Sequence, residues 1–400
     1  MFFPVFCCSD WRDAVTLITF SQWVMQLRHL SIVNYKNIEQ AELDFSPSVN
    51  CFIGANGMGK TNLLDAVFYL SFCKSASNPL ENSNIRHDVD FFMIQGEYVS
   101  DEVADGRELV CCSVKRGGRK LVKRNGKDYR RFSEHVGKIP LVLIAPSDSF
   151  LVSGGSDERR KFMDVVISQY DSLYLEHVIR YEKTLKQRNA LLKSEAEPDA
   201  SVMDVLEEMM SESAAVVYDR RKAFVEAFVP IFKDIYVRLC NSDTETVDIV
   251  YESHGARGAL KNLLAAGRPK ERIVGHTLHG VHKDELQLCF NGYPVKREGS
   301  QGQTKTYFIA MKLAQYVFLQ RKGERKTPIL LLDDIFDKLD AGRVAKIIEY
   351  VLEENFGQIF ITDTNREHLD YILAGTKRDY RLFLVDKGIV ASGKDGTQEI

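Results

Sequence analysis

Gly54-Ala55-Asn56-Gly57-Met58-Gly59-Lys60-Thr61 fits the spacing G-x-x-x-x-G-K-[ST]; the apolar run Val49-Asn50-Cys51-Phe52-Ile53 leads into it and Asn62-Leu63-Leu64-Asp65-Ala66-Val67-Phe68-Tyr69-Leu70 leads out at helical spacing. In a strand, loop and helix of this kind the glycines let backbone N–H groups turn inward around phosphate oxygens. The lysine reaches the β and γ phosphates, and the hydroxyl residue can ligate Mg2+. The stretch assigns Gly54 to Asn62 to a nucleoside triphosphate, with Thr61 on the metal. A glycine-rich turn before a helix carries the same letters, but the strand and helix on either side favour the phosphate loop.

Far downstream, Thr327-Pro328-Ile329-Leu330-Leu331-Leu332-Asp333-Asp334 is a continuous apolar run ending in two carboxylates. It reads as a fully buried parallel strand with acids at its C-terminal end, where a doubly wound sheet places its ligand. Asp333 is then the second metal residue, and Asp334 the base that polarises an attacking water. A strand ending in Asp-Asp alone is equally an exposed turn; the phosphate loop in the same chain decides for the catalytic reading. Between the two motifs, Ser300-Gln301-Gly302-Gln303 opens the amphipathic stretch Thr304 to Ala314. A small, glycine-bearing turn at a helix N-terminus is a second anion site, and two such sites in one chain point to a composite site between two copies. A polar turn that merely caps the helix explains the same four residues.

In their order these motifs resemble the ABC-type ATPase heads of SMC-class proteins, and the finer match is to the RecF family. Leu30-Ser31-Ile32-Val33-Asn34-Tyr35-Lys36-Asn37 looks like that family's opening strand, and Ser300-Gln301-Gly302-Gln303 like its variant of the ABC signature. Gly154-Gly155-Ser156-Asp157-Glu158-Arg159-Arg160-Lys161-Phe162-Met163-Asp164 resembles its G-x-P-x-x-R-R-x-F-x-D element. Gly280-Val281-His282-Lys283-Asp284-Glu285-Leu286 resembles its G-P-H-x-D-D-L. Ser156 and Val281 stand where the family has proline, which removes no charged group. By this resemblance Asp340 falls at the D-loop aspartate that crosses a dimer interface, and Asp363 or Thr364 where many ABC proteins place a switch histidine. No histidine and no Q-loop glutamine stands in place, and the second carboxylate is Asp334 rather than glutamate.

Composition agrees with such a protein. The chain has 400 residues, 44% of them hydrophobic, and a net charge of −3, so a nucleic-acid surface must be a local patch. No apolar stretch is long enough to cross a bilayer. None of the eight cysteines forms C-x-x-C, and several lie in apolar runs, as reduced thiols of a cytoplasmic protein do. Residues 1–24 lack the basic start of a signal peptide and read as a disordered or non-native extension.

The expected fold is α/β, an ABC-type P-loop ATPase head with a short helical arm lobe. Residues 25–150 and 241–400 form the two halves of the ATPase domain, and 151–240 form the arm. Arg159 to Lys193 and Met203 to Arg238 read as two antiparallel helices; at about 1.5 Å per residue they reach only about 50 Å, which excludes a long tether. A helical layer lying on the sheet is the other reading of this segment. A basic stretch from Lys115 to Arg131, on a hairpin around Asn125-Gly126, holds Arg119, Lys120, Lys123 and Arg124 and is the candidate DNA ridge. A solvated charged face explains such a run too.

The resemblance implies ATP and Mg2+ as ligands and a cytoplasmic repair factor at duplex, gapped or junction DNA. It implies an ATP-dependent homodimer, RecO and RecR mediators as partners, and the loading of RecA. The energising subunit of a membrane transporter and a non-hydrolysing structural head remain the alternatives.

Overall fold

The computed structural model describes residues 23–99, 106–240, 245–322, 326–335, 341–353, 356–364 and 378–392. Its central sheet runs β17 (Ile389–Ser392), β16 (Tyr380–Asp386), β4 (Val49–Ile53), β15 (Ile359–Asp363), β14 (Ile329–Asp333) and β9 (Leu141–Ile144). All neighbours are parallel except β17, which turns back antiparallel on β16. β14 and β15 are buried at every residue. A strand covered on both faces has to be apolar throughout, and this is why Ile329 to Leu332 reads as an unbroken run.

A second sheet is antiparallel, in the order β3 (Ile38–Asp44), β2 (Gln26–Tyr35), β5 (Phe91–Val99), β6 (Arg107–Lys115), β7 (Leu121–Arg124) and β8 (Lys127–Asp128). Burial alternates along β5 and β6, one face inward and one outward. Helix α1 (Lys60–Phe72) is clasped between the two sheets, with Leu63, Leu64, Val67 and Leu70 buried. Asn125 and Gly126 take positive φ of 50° and 76°, the two-residue hairpin turn that Asn-Gly favours. A two-residue parallel pair, β1 (Trp23–Val24) with β13 (Lys326–Thr327), begins the ordered ladder two residues before the expected start at Met25. Residues 1–22 lie outside the described residues.

The remaining elements gather on the other face of the central sheet. They are α2 (Phe150–Ser153), α3 (Ser156–Ser168), α4 (Ser172–Lys193), α5 (Ala200–Cys240), α6 (Leu260–Val274), α7 (Val295–Glu298), α8 (Gln301–Lys322) and α9 (Ala341–Glu353), with a small sheet of β10 (Val247–Glu252), β11 (Glu285–Phe290) and β12 (Tyr293–Pro294). The helix expected from Arg159 to Lys193 is broken: α3 stops at Ser168 and Asp171 starts α4, its carboxylate accepting the Tyr174 N–H at 2.9 Å.

The two halves of helix α5 pack differently. Toward its C-terminus Phe224, Phe228, Phe232 and Tyr236 recur every fourth residue and pack on α8, with Phe232 and Tyr307 centroids 4.8 Å apart and Phe224 and Phe318 5.0 Å apart. Toward its N-terminus it pairs with α4 and α6 around the fully buried Arg188, which meets Glu207 at 2.8 Å and Glu271 at 2.7 Å. A buried guanidinium is tolerated only when paired, so one residue from each of three helices fixes how they stand together.

Candidate nucleotide site

The phosphate loop leaves the end of β4 and enters α1 through Gly59, whose φ of 112° lies in the left-handed region. A side chain there would also collide with the Asn37 amide, 2.8 Å from an ideal Cβ. Both constraints demand glycine, and they bring the turn after β2 against the loop. Asn37 accepts a hydrogen bond from the Asn62 amide at 2.7 Å and donates to the Met58 carbonyl at 3.3 Å. Asn37 is a site residue that the motif alone does not reveal.

Lys60 donates to the Gly54 carbonyl at 2.7 Å and the Ala55 carbonyl at 3.0 Å, so its ammonium lies over the mouth of the loop. Burial lowers its pKa, against the opposing pull of Asp334, Asp333 and Asp363. The strand order puts β15 between β4 and β14, and this spacing aims the acids of β14 at the start of α1. The Thr61 hydroxyl donates to Asp333 Oδ1 at 3.1 Å, and the Thr362 hydroxyl donates to the same oxygen at 2.7 Å. Burial raises the Asp333 pKa, opposed by these two hydrogen bonds. Asp334 sits at positive φ, 47°, with its N–H held by the Thr362 hydroxyl at 3.0 Å. Thr362 thus orients the Asp333 carboxylate and pins the Asp334 backbone. No sequence spacing marked it, because it acts across strands 29 residues away.

A hydroxyl and a carboxylate oxygen converging beside a lysine form an all-oxygen donor pair, which suits Mg2+. Among the described residues there is no cluster of three or more His, Cys, Asp or Glu able to cage a metal. A cation here would depend on phosphate oxygens for the rest of its coordination, as Mg2+ sites commonly do.

The Ser300 turn is a reciprocal cap. Ser300 Oγ accepts the Gln303 N–H at 3.2 Å, and Gln303 Oε1 accepts the Ser300 N–H at 2.9 Å. Its neighbours are Glu245, Thr306 and Arg343 rather than the phosphate loop of the same chain. Asp340 lies outside the described residues. Asp363 is buried at the end of β15, and Thr364 is exposed.

The basic hairpin divides in two. Lys120 turns inward to the Cys73 carbonyl at 2.6 Å and to Glu81, with its ammonium 5.0 Å from the Phe132 ring centroid. Arg124 grips the buried Glu108, with one N–O distance of 2.7 Å. Arg119 and Lys123 stay on the surface, Lys123 3.6 Å from Asp128. Elsewhere, the two segments that carry the finer resemblance interlock: Arg159 meets Glu285 at 2.7 Å, and Arg221 joins Asp164 at 2.9 Å to Asp284 at 2.8 Å.

Comparison with known proteins matches residues 26–390 to the family described as RecF/RecN/SMC N terminal domain. At the level of fold alone, an Smc head domain from Pyrococcus furiosus superposes with a TM-score of 0.56 at 16% identity, over 92% of this chain and 96% of that one. Fold and site therefore define a P-loop head of the RecF/RecN/SMC class. A DNA replication and repair protein RecF of Phocaeicola vulgatus is 55% identical over 93% of this chain and 99% of its own length, and one of Bacteroides thetaiotaomicron is 54% identical over 92% and 98%. A solved structure of the recombination mediator protein RecF-ATP in the RecFOR pathway superposes with a TM-score of 0.83 at 26% identity, over 94% of this chain and 100% of that chain. The chain belongs to the RecF family.

Proposed function

We propose that the chain is an ATP-dependent DNA-binding protein of recombinational repair and replication restart, a switch that ATP closes and hydrolysis reopens. The observation that carries this reading is the meeting of Thr61 and Asp333 at 3.1 Å, which joins motifs 272 residues apart beside Lys60. Gly54 to Asn62 hold the phosphates, with Lys60 moving from the loop carbonyls onto the β and γ oxygens. Thr61 and Asp333 would hold Mg2+, which would supply charge neutralisation for those oxygens. Asp334 takes the proton of the attacking water. Its side chain is one methylene shorter than a glutamate, so turnover is slow unless closure or DNA brings the water within about 3 Å.

In this reading the signature turn Ser300, Gln301, Gly302 and Gln303, with Asp340, meets the nucleotide of a second copy. The γ phosphate then stabilises the closed dimer selectively and shifts the equilibrium toward it. The chain acts in the cytoplasm at duplex, gapped or junction DNA, beside RecO- and RecR-type mediators that load RecA; the names of the relatives, a DNA replication and repair protein and a recombination mediator of the RecFOR pathway, support the repair setting of this reading. Arg119 and Lys123 are the DNA-facing pair of the hairpin, whereas Lys120 and Arg124 brace it from within. The division into an ATPase domain from 25–150 and 241–400 with an arm from 151–240 belongs to the same reading.

The test is sedimentation with and without ATP. Ser300→Arg places a bulky cation at the seat of the opposing phosphate and should leave nucleotide binding by the monomer intact while abolishing the dimer. Asp334→Asn removes the base and should trap the ATP-bound dimer. Parental dimerisation and hydrolysis by both variants would refute the composite site.

A further inference from the structure

The signature turn is gripped by a group outside every motif. Glu245 precedes β10, and its two carboxylate oxygens face different elements. One accepts the Gln303 amide N–H of α8 at 2.8 Å, and the other accepts the Tyr236 hydroxyl of α5 at 2.8 Å. Burial pushes the Glu245 carboxyl up, but hydrogen bonds from Gln303, Tyr236 and Cys240 and the charge of Arg343 outweigh it, so it stays ionised. Arg343 of α9 also reaches the turn, donating to the Thr306 hydroxyl at 3.2 Å with its guanidinium 2.5 Å from an ideal Cβ on Gly302.

The Gln303 amide is thereby keyed by polarity. Its oxygen takes the Ser300 N–H and its nitrogen gives to Glu245, so rotating it to suit a different neighbour breaks the cap on Ser300. Tyr236 in turn is packed into the aromatic column that α5 presents to α8, its ring 6.0 Å from Tyr307. A displacement of α5 therefore reaches Gln303 through two hydrogen bonds on one carboxylate.

We propose that Glu245 is the positioning residue of the signature turn: its carboxylate sets Gln303 for contact with the partner copy's nucleotide and ties that setting to the long arm helix α5. The inference rests on the composite-site reading. It assigns Glu245 no contact with nucleotide, so ATP binding by the monomer is independent of it.

The test compares Glu245→Ala, Glu245→Gln and Tyr236→Phe, by sedimentation with ATP and by nucleotide titration of the monomer. Glu245→Ala leaves the Gln303 N–H without its acceptor and should weaken ATP-driven dimerisation about tenfold, the scale of one hydrogen bond to a charged group, with monomer affinity for ATP unchanged. Tyr236→Phe keeps Gln303 bound and should weaken the dimer less. Glu245→Gln keeps an amide oxygen for the Gln303 N–H and lets the Tyr236 hydroxyl accept from its N–H, so dimerisation should stay within about threefold of the parent. Parental dimerisation by Glu245→Ala, or a loss in Glu245→Gln as large as that in Glu245→Ala, overturns the proposal; a fall in monomer affinity for ATP equal to the dimer loss also overturns it. If Ser300→Arg dimerises as well as the parent, the composite site itself fails. If Ser300→Arg blocks the dimer while Glu245→Ala does not, only the role of Glu245 falls.

Discussion

His282 shows how a single side chain can carry a pH signature without doing chemistry. It lies between the Tyr181 hydroxyl, 2.7 Å from Nδ1, and the Thr277 carbonyl, 3.2 Å from Nε2. A carbonyl only accepts, so Nε2 bears the hydrogen and Nδ1 receives the Tyr181 proton. Burial is the chief cause that lowers the His282 pKa to about 4, with Lys283, Arg160 and His254 adding positive charge nearby. The unfolded chain takes up the proton near pH 6.5 while the folded chain refuses it until about pH 4. The stability associated with the neutral ring is therefore complete above pH 6.5, falls as the pH drops from 6.5 to 4, and is constant below. The whole difference is about 3 kcal/mol. His282→Gln preserves an acceptor toward Tyr181 and a donor toward Thr277 and removes the titration. Urea unfolding from pH 7 to pH 4 should show the variant losing less stability than the parent by about that amount. Parallel curves would show that the folded chain takes up this proton as readily as the unfolded chain.

At the scale of the element, the hairpin of β6, β7 and β8 separates charge that serves the fold from charge that serves solvent or DNA. If Arg119 and Lys123 track phosphates, changing both to glutamine should flatten the slope of log affinity against log salt by about 0.9 for each phosphate left unneutralised, with ATP binding unaltered. Changing Lys120 and Arg124 instead should lower the thermal midpoint and leave that slope in place, because their charges already answer Glu81 and the buried Glu108. A slope left unaltered in both variants would move the DNA surface off this hairpin. From sequence the four residues are equivalent cations, since the acids that separate them lie elsewhere in the chain. The same distance hid Thr362 and Glu245, whose partners stand 29 and 58 residues away. The phosphate loop and Ile329 to Asp334 were legible for the opposite reason: backbone geometry and two-sided burial restrict the residues allowed there. The break at Asp171 was also written locally, as an N-cap, but the helical period of the apolar residues on either side runs through it. β16 and β17 carry no motif, and nothing local announces that β16 adjoins β4.

For the molecule as a whole, the consequence lies in which strands touch. β4, the strand that launches the phosphate loop, has β15 and β16 as its two neighbours. A chain stopped at residue 353 would retain every residue from Gly54 to Thr61 together with Asp333 and Asp334, yet leave β4 without either neighbour. It should bind no ATP and should light up an apolar dye such as ANS, both measured against the full chain; nucleotide binding at parental affinity would show that α1 and β14 suffice. On the ribosome the apolar strand Val49–Ile53 emerges about 330 residues before its last neighbour, Tyr380–Asp386, a wait of roughly 20 to 70 s at ordinary elongation rates. Through that interval the nascent polypeptide carries an unpaired, sticky segment that chaperones must shield. Competence to bind nucleotide then arrives in one step once Tyr380–Asp386 has emerged, so that a product aborted earlier is inert toward ATP.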